Sequence, residues 1–193
     1  MTAQISDKII YNGKECKMHS NPMESYFAKY PAKRPKGDVQ STALWRGYVA
    51  TFEIRDNQLC LKDIVIQTST QTAPKHYEYG WKSVRDDIFP NQDFIKIDWL
   101  TGTLVLPSGK VVNYVHMGYA SSYEHYTLLE IENGDLKSVQ EFGPEEYRYY
   151  KEKQFQAFKQ TEEYENVKNN LQDTLPEFDD EFVESFLRDF RIE

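Results

Sequence analysis

The chain has little cysteine and no long apolar run. Only two cysteines occur in 193 residues, and neither Cys16 nor Cys60 has a CxxC partner, so we expect reduced thiols rather than a disulfide. The start, MTAQISDKIIYNG, lacks the apolar core of a secretory signal, and no segment approaches the ~20 apolar residues of a membrane span. These absences predict a cytoplasmic protein without membrane association.

The common cofactor and catalytic motifs are also missing. The sequence contains no GxGxxG, GxxxxGK[ST], GxSxG or HExxH, the motifs of dinucleotide binding, nucleotide binding, serine hydrolysis and zinc proteolysis. We therefore expect no cofactor and no metal, and these enzyme classes are disfavoured.

Positive charge is scarce in the last quarter of the chain. Residues 1–140 carry 16 acidic and 16 basic side chains, whereas residues 141–193 carry 15 acidic and 7 basic ones, so this segment holds the whole net charge of −8. An acidic surface repels phosphate backbones and anionic membranes and attracts basic proteins. The segment therefore disfavours nucleic acid and favours a basic protein partner.

Apolar and polar residues alternate over much of residues 47–142, with turn residues between the runs. Asp56-Asn57, Ser108-Gly109 and Asn133-Gly134 suit hairpin turns, because Asn and Gly tolerate a positive φ. The predicted cross-strand pairs are Ile54 with Leu59, Phe52 with Leu61, Ile131 with Leu136, and Glu130 with Lys137.

Other segments are less regular. The sequence predicts a hairpin at Asn12-Gly13 and a short helix after Asn21, which would be its cap. The run FIKIDWL, residues 94–100, predicts another strand. Residues 68–93, rich in Thr, Gln, Asp and Pro, predict a long irregular connection that contains a helical turn.

The pattern becomes helical after Gly143. Apolar residues at mostly helical spacing predict a long helix from Pro144 to about Leu171. In a final helix, Thr174 and Glu177 have capping-box spacing and phenylalanines recur every four residues. That aromatic face would pack on the protein's own sheet or enter a groove on a partner. The partner-binding candidates are Phe178, Phe182, Phe186 and Phe190.

Taken together, these patterns predict an α+β fold that is mainly antiparallel β. A meander sheet over residues 1–142 would curve into a barrel-like or sandwich core, and an acidic helical segment, residues 143–193, would contribute two helices packed on the same domain.

The stretch YVHMGYASSYEHY, residues 114–126, comes closest to a reaction centre. A hairpin centred near Ala120 and Ser121 would place His116 opposite His125. Two imidazoles could supply two ligands to a metal or act as an acid and a base. Zinc sites normally require three or four protein ligands, however, so packing is the favoured interpretation.

A second candidate is LWRGY, residues 44–48, where a guanidinium lies between two aromatic residues and could form a ligand-binding wall. The ligand-binding candidates from the two stretches are Trp45, Arg46, Tyr48, Tyr114, His116, Tyr123 and His125.

The leading functional hypothesis is a non-catalytic cytoplasmic binding or accessory protein that engages a protein partner or a small ligand. One alternative is a small enzyme with a site where LWRGY meets the histidine hairpin. Another is a small-ligand carrier, which would need a barrel with an open lumen.

Overall fold

The computed structural model describes residues 2–39, 41–174 and 179–190. The strands are β1 (Asp7–Tyr11), β2 (Lys14–Met18), β3 (Val49–Arg55), β4 (Gln58–Ala73), β5 (His76–Ser83), β6 (Gly102–Asn113), β7 (Ser122–Glu132) and β8 (Asp135–Phe142). The helices are α1 (Met23–Lys29), α2 (Arg85–Ile88), α3 (Pro144–Phe158), α4 (Glu162–Thr174) and α5 (Asp180–Phe190).

The strands form one mostly antiparallel sheet in the order β2-β1-β3-β4-β8-β7-β6, and β5 pairs with β4 outside this path. The α+β prediction is confirmed. The pairing of β1 with β3 is parallel and interrupts the predicted meander. The sheet is also not closed, so the terms barrel-like and sandwich describe it only loosely.

Two predicted hairpins at Asn-containing turns are confirmed. The β1–β2 hairpin turns at Asn12-Gly13. In the β3–β4 hairpin Ile54 pairs with Leu59, while Asn57 has a φ of 58°. Because Asn tolerates this left-handed conformation, local sequence was enough to place both turns.

The β7–β8 hairpin is confirmed at its turn but not along its whole length. Ile131 pairs with Leu136 as predicted. Glu130 pairs with Ser138 rather than Lys137, because the register shifts between Glu130 and Ile131.

The predicted turn at Ser108-Gly109 is wrong, because β6 continues through both residues. Ser108 pairs with His125, and Gly109 lies at a register shift with a φ of 78°. The backbone N–H of Lys110 donates to the Glu124 carboxylate at 2.8 Å. Gly109 therefore marks a bulge within the strand.

Two further sequence predictions are wrong. Residues 68–83 belong to the long β4–β5 hairpin rather than to an irregular connection, although the helical turn predicted within residues 68–93 is present as α2. Residues 94–100 form no named strand, although Ile95 and Ile97 are buried and exchange backbone hydrogen bonds with Leu61 and Leu59. These two backbone hydrogen bonds hold the segment against the first residues of β4.

The main core lies against one face of the sheet and is covered by α1 and α2. A second buried cluster on β6 and β7 receives α3. A third joins α3, α4 and α5 through Phe155, Tyr164, Val183 and Leu187. Within the described residues, no helix has the length and apolarity needed to cross a bilayer.

The described part of the C-terminal region forms three helices where two were predicted, because the expected long helix ends at Phe158 and a new one begins at Glu162. Phe182 is 40% exposed. Glu177 and Phe178 lie outside the described residues, as do the side chains of Phe186 and Phe190.

Helix α1 starts one residue later than predicted. Pro22 rather than Asn21 is its N-cap, and no side chain caps it. The Asn21 backbone carbonyl accepts the N–H of Glu24 at 3.0 Å.

Candidate functional site

A cleft of about 470 Å³ lies between the segment joining β6 to β7 and the first half of α3. Seven of its lining residues come from the stretch 114–126 that the sequence analysis singled out. Its lining includes His19, Tyr119, Tyr126, Tyr147 and Lys151.

His19 forms part of one wall and is held from two sides. Its backbone N–H donates to the Val105 carbonyl at 2.8 Å, and its ring stacks on Tyr119 with centroids 4.7 Å apart and planes 7° apart. Tyr123 meets the ring edge-on at 5.4 Å. Burial, helped by the charges of Lys17 and Lys151, lowers the pKa of His19 to about 4. The imidazole is therefore neutral near pH 7.

Tyr119 is fixed by hydrogen bonds at its hydroxyl. Arg46 donates to this oxygen at 3.3 Å, and the hydroxyl donates to the side-chain oxygen of Asn21 at 3.1 Å. Together with the stack on His19, these bonds hold the ring in one orientation. This wall of the cleft is preformed.

An ion pair between Arg46 and Asp7 lies behind Tyr119. Nη2 of Arg46 is 2.8 Å from Oδ1 of Asp7, with side-chain exposures of 8% and 0%. The same oxygen accepts the backbone N–H of Ala50 at 2.8 Å. Burial raises the pKa of Asp7 to about 6, although Arg46 and the Ala50 N–H oppose this rise. The carboxylate is therefore mainly ionised near pH 7, where it compensates the guanidinium charge.

Tyr126 and Tyr147 join the sheet to the helices beside the cleft. Their rings stack with centroids 3.9 Å apart and planes 21° apart. The Tyr126 hydroxyl also accepts the backbone N–H of Tyr123 at 2.9 Å. Tyr147 reaches this position because α3 begins directly after β8, with the Gly143 N–H donating to Glu146 at 2.8 Å. Tyr126 and Tyr147 thus add to the aromatic lining that His19 and Tyr119 provide.

The charged residues of the cleft leave one positive charge unbalanced. Arg148 pairs with Glu145, and Nε of Arg188 lies 3.5 Å from the Glu152 carboxylate. Lys151 is half-buried and forms no ion pair within the described part of the chain. Within the described residues, the unbalanced charge of Lys151 is therefore the main electrostatic feature of the cleft.

The LWRGY residues do not line the cleft. Trp45 is 73% exposed. Arg46 lies behind Tyr119, and Tyr48 is fully buried with its hydroxyl donating to Glu24 at 2.7 Å. Of this group, only Arg46 bears on the site, and it does so by holding Tyr119.

The histidine pair predicted from the other stretch is not formed. His125 pairs with Ser108, and His116 instead shares a hydrogen bond of 2.8 Å with the exposed Tyr114. The β6–β7 register differs from the predicted one because β6 continues past Ser108-Gly109. No group of three or more His, Cys, Asp and Glu side chains suited to a metal occurs among the described residues.

Sequence reasoning missed the residues that matter most. His19, Tyr126, Tyr147 and Lys151 were not among its candidates, although Tyr119 and Tyr126 lie inside the stretch it selected. One usable signal was present, because Tyr147 and Lys151 are four residues apart and so share a helix face. No sequence pattern indicates that this face lies against β7.

The chain was also compared with known proteins. No protein-family model, no curated protein and no solved structure matches it.

Proposed function

We propose that the protein is a non-catalytic cytoplasmic binding protein whose cleft holds a small ligand with a flat ring and an anionic group. This proposal rests on Lys151, which lines the cleft together with aromatic side chains and forms no ion pair among the residues that the structure describes. Binding pockets typically combine apolar walls with a few polar groups that fix orientation.

The aromatic walls favour a ring. Ring faces attract one another in offset or edge-on arrangements, and such contacts stabilise a complex by about 0.5–1.5 kcal/mol beyond simple burial. The volume of about 470 Å³ fits within the usual range for small-ligand pockets. One or two fused rings therefore match the space.

The charges favour an anion. Glu145 and Glu152 already pair with arginines, so Lys151 is the cation that an incoming carboxylate, phosphate or sulfonate would meet. Charge-assisted hydrogen bonds are stronger than neutral ones, particularly away from bulk water.

The structure supports holding a ligand more than transforming one. The Ser121 hydroxyl bonds to the backbone of Val115, and the His19 ring lies between Tyr119 and Tyr123. Within the described residues no hydrogen bond joins His19 to a serine hydroxyl, the geometry that an activated nucleophile needs. The open sheet likewise gives no support to a carrier with a barrel lumen.

The fluorescent probe 8-anilinonaphthalene-1-sulfonate tests this proposal, because it combines fused rings with an anionic group. Lys151→Ala should weaken probe binding about ten-fold, the effect of losing one charge-assisted contact. Lys153→Ala is the matched control, because Lys153 lies on the same helix but does not line the cleft. Fluorescence titration of the three proteins measures the difference.

Competition experiments test the contributions of the ring and of the anionic group separately. Naphthalene-1-sulfonate should displace the probe, whereas inorganic sulfate and neutral naphthol should each compete poorly. Equal weakening by both lysine variants, or equal competition by the neutral ring, would show that the cleft has no anion specificity.

The acidic helices support a second function, binding of a basic protein. Glu162 and Glu165 are exposed in the first turn of α4. Attraction between opposite charges speeds association and weakens as salt screens it. We therefore expect basic partners to be retained on the immobilised protein at low ionic strength and lost at high ionic strength. Glu162→Gln with Glu165→Gln should reduce this retention, and partners held equally by both proteins at both ionic strengths would contradict the idea.

A further inference from the structure

Strand β5 has an edge that no other described strand covers. Among the residues that the structure describes it pairs with β4 alone, and all eight of its residues are exposed. The Val84 N–H donates to the Ile64 carbonyl at 2.8 Å, so Ile64 and Val84 are a hydrogen-bonded pair of the antiparallel ladder. Because hydrogen-bonded pairs alternate along such a ladder, Tyr77, Tyr79 and Trp81 direct their backbone N–H and C=O groups away from β4.

The outer part of the β4–β5 hairpin is a two-stranded ribbon with little covering. An isolated two-stranded ribbon is marginally stable in water, and three or more strands are usually needed. An unpaired edge of this kind is also a template for another strand. The ribbon would therefore gain stability from a further strand at β5.

The two faces of β5 differ in chemistry. Tyr77, Tyr79 and Trp81 share one face and are 49%, 65% and 49% exposed. Glu78 and Lys82 lie on the other face, and neither forms an ion pair within the described residues. An aromatic row and two opposite charges are thus both available to a partner.

We propose that a second copy of the chain occupies this edge, with the two β5 strands antiparallel about a two-fold axis at Gly80. Because the outward-facing groups belong to odd-numbered residues, an odd residue must face an odd residue across the interface. Among the registers that meet this condition, the one centred on Gly80 places Glu78 of each copy opposite Lys82 of the other. The interface then contains two such pairs.

The same register also matches the aromatic face. Tyr79 faces Trp81 of the second copy, and the symmetry repeats this pair, so the two aromatic rows become continuous. Cross-strand aromatic pairs and opposite charges are the pairings that stabilise sheets. A symmetric dimer requires a self-complementary surface of this kind.

Gly80 supports the position of the axis. A Cβ at this residue would meet only Thr68 Oγ1, at an ordinary contact distance of 3.5 Å, and its φ is not in the left-handed region. The chain's own fold therefore does not require glycine here. Glycine inside a strand often marks a close approach of another backbone, and in this dimer the two Gly80 residues face each other.

Charge exchange tests the register. Glu78→Lys and Lys82→Glu each place like charges opposite one another, and each should raise the dimer dissociation constant at least about ten-fold. The double variant E78K/K82E restores opposite charges and should return the constant to within about three-fold of the original. Sedimentation equilibrium of the full chain, from micromolar to millimolar protein, measures these constants.

Glu141→Lys is the matched control, because it makes the same change in net charge at an exposed residue of β8 and should leave the dimer intact. Circular dichroism of each variant checks that the fold is kept. A monomer at every concentration would overturn the proposal. A dimer that is insensitive to either single change, or that the double exchange does not restore, would overturn it too.

Discussion

Replacing Asp7 by alanine should lower the free energy of unfolding by about 3–5 kcal/mol near neutral pH, because it leaves the buried Arg46 guanidinium without a countercharge. The change also removes the acceptor of the Ala50 N–H. Arg46→Ala should cost a similar amount, since it strands the fully buried carboxylate. Urea unfolding of each variant gives the values.

The double variant D7A/R46A should cost several kcal/mol less than the sum of the single changes, because no unpaired charge remains. Lys8 and Glu15 provide a matched control in the same hairpin: their nitrogen–oxygen distance is also 2.8 Å, but their side chains are 46% and 56% exposed. Lys8→Ala should therefore cost less than about 1 kcal/mol. Additive effects of Asp7→Ala and Arg46→Ala would show that the buried pair is not coupled.

Arg46→Ala should also weaken binding of the sulfonate probe, because Arg46 holds Tyr119 in the wall of the cleft. Tyr119→Phe keeps the ring and its stack on His19 but removes the hydroxyl that receives this bond. If a preformed wall matters for binding, both variants should lose affinity while Lys153→Ala does not.

The turns were predictable because their chemistry is local. Asn12, Asn57 and Asn133 all have positive φ values, and each is the residue that its hairpin needs. The bulge at Gly109 looked the same in sequence, since a glycine after serine suits a turn as well as a bulge. Only the pairing of Ser108 with His125 distinguishes the two. A register set by distant residues could not be read from the local pattern.

The β4–β5 hairpin was missed for a different reason. Alternation of apolar and polar residues reveals a strand only when one face of the strand is buried and the other is exposed to solvent. Both faces of the outer ribbon are exposed, and its β4 half, TSTQT at residues 68–72, is polar at every position and so resembles a loop. Aromatic residues at alternate positions, Tyr77, Tyr79 and Trp81, were the remaining signal of a strand.

The cleft was only partly predictable, because it depends on contacts between distant parts of the chain. His19 meets Tyr119 from a hundred residues away, and Tyr147 meets Tyr126 only because α3 folds back over β7. The clustering of tyrosines in residues 114–126 did indicate the right segment. It could not show that His19, rather than His116 or His125, would be the buried histidine.

His19 and Asp7 should give the protein opposing responses to acid. The folded-state pKa of His19 is about 4, below the unfolded value of 6.5, so the unfolded chain binds more protons and stability falls between about pH 6.5 and 4. The folded-state pKa of Asp7 is about 6, above its unfolded value of 3.8, so the folded protein binds more protons. For this group, stability rises as the pH falls from about 6 to 3.8.

From about pH 7.5 to pH 5, His19 should remove about 2 kcal/mol of stability while Asp7 adds about 1 kcal/mol, so the two contributions partly cancel. His19→Phe keeps an aromatic ring against Tyr119 but removes the contribution of His19 to the pH dependence. Relative to the unmodified protein, this variant should therefore gain about 2 kcal/mol over that pH interval, measured by urea unfolding at each pH.

The unmodified protein at pH 7.5 is the reference, since the His19 imidazole is mainly neutral and the Asp7 carboxyl group mainly ionised at that pH. An NMR titration of the His19 ring protons gives an independent check, because the midpoint should lie well below the 6.5 of an ordinary histidine. A midpoint near 6.5, or identical pH profiles for the two proteins, would mean that the ring is hydrated in the folded state. The wall formed by His19 and Tyr119 would then be open to water, and the cleft could not exclude solvent around Lys151.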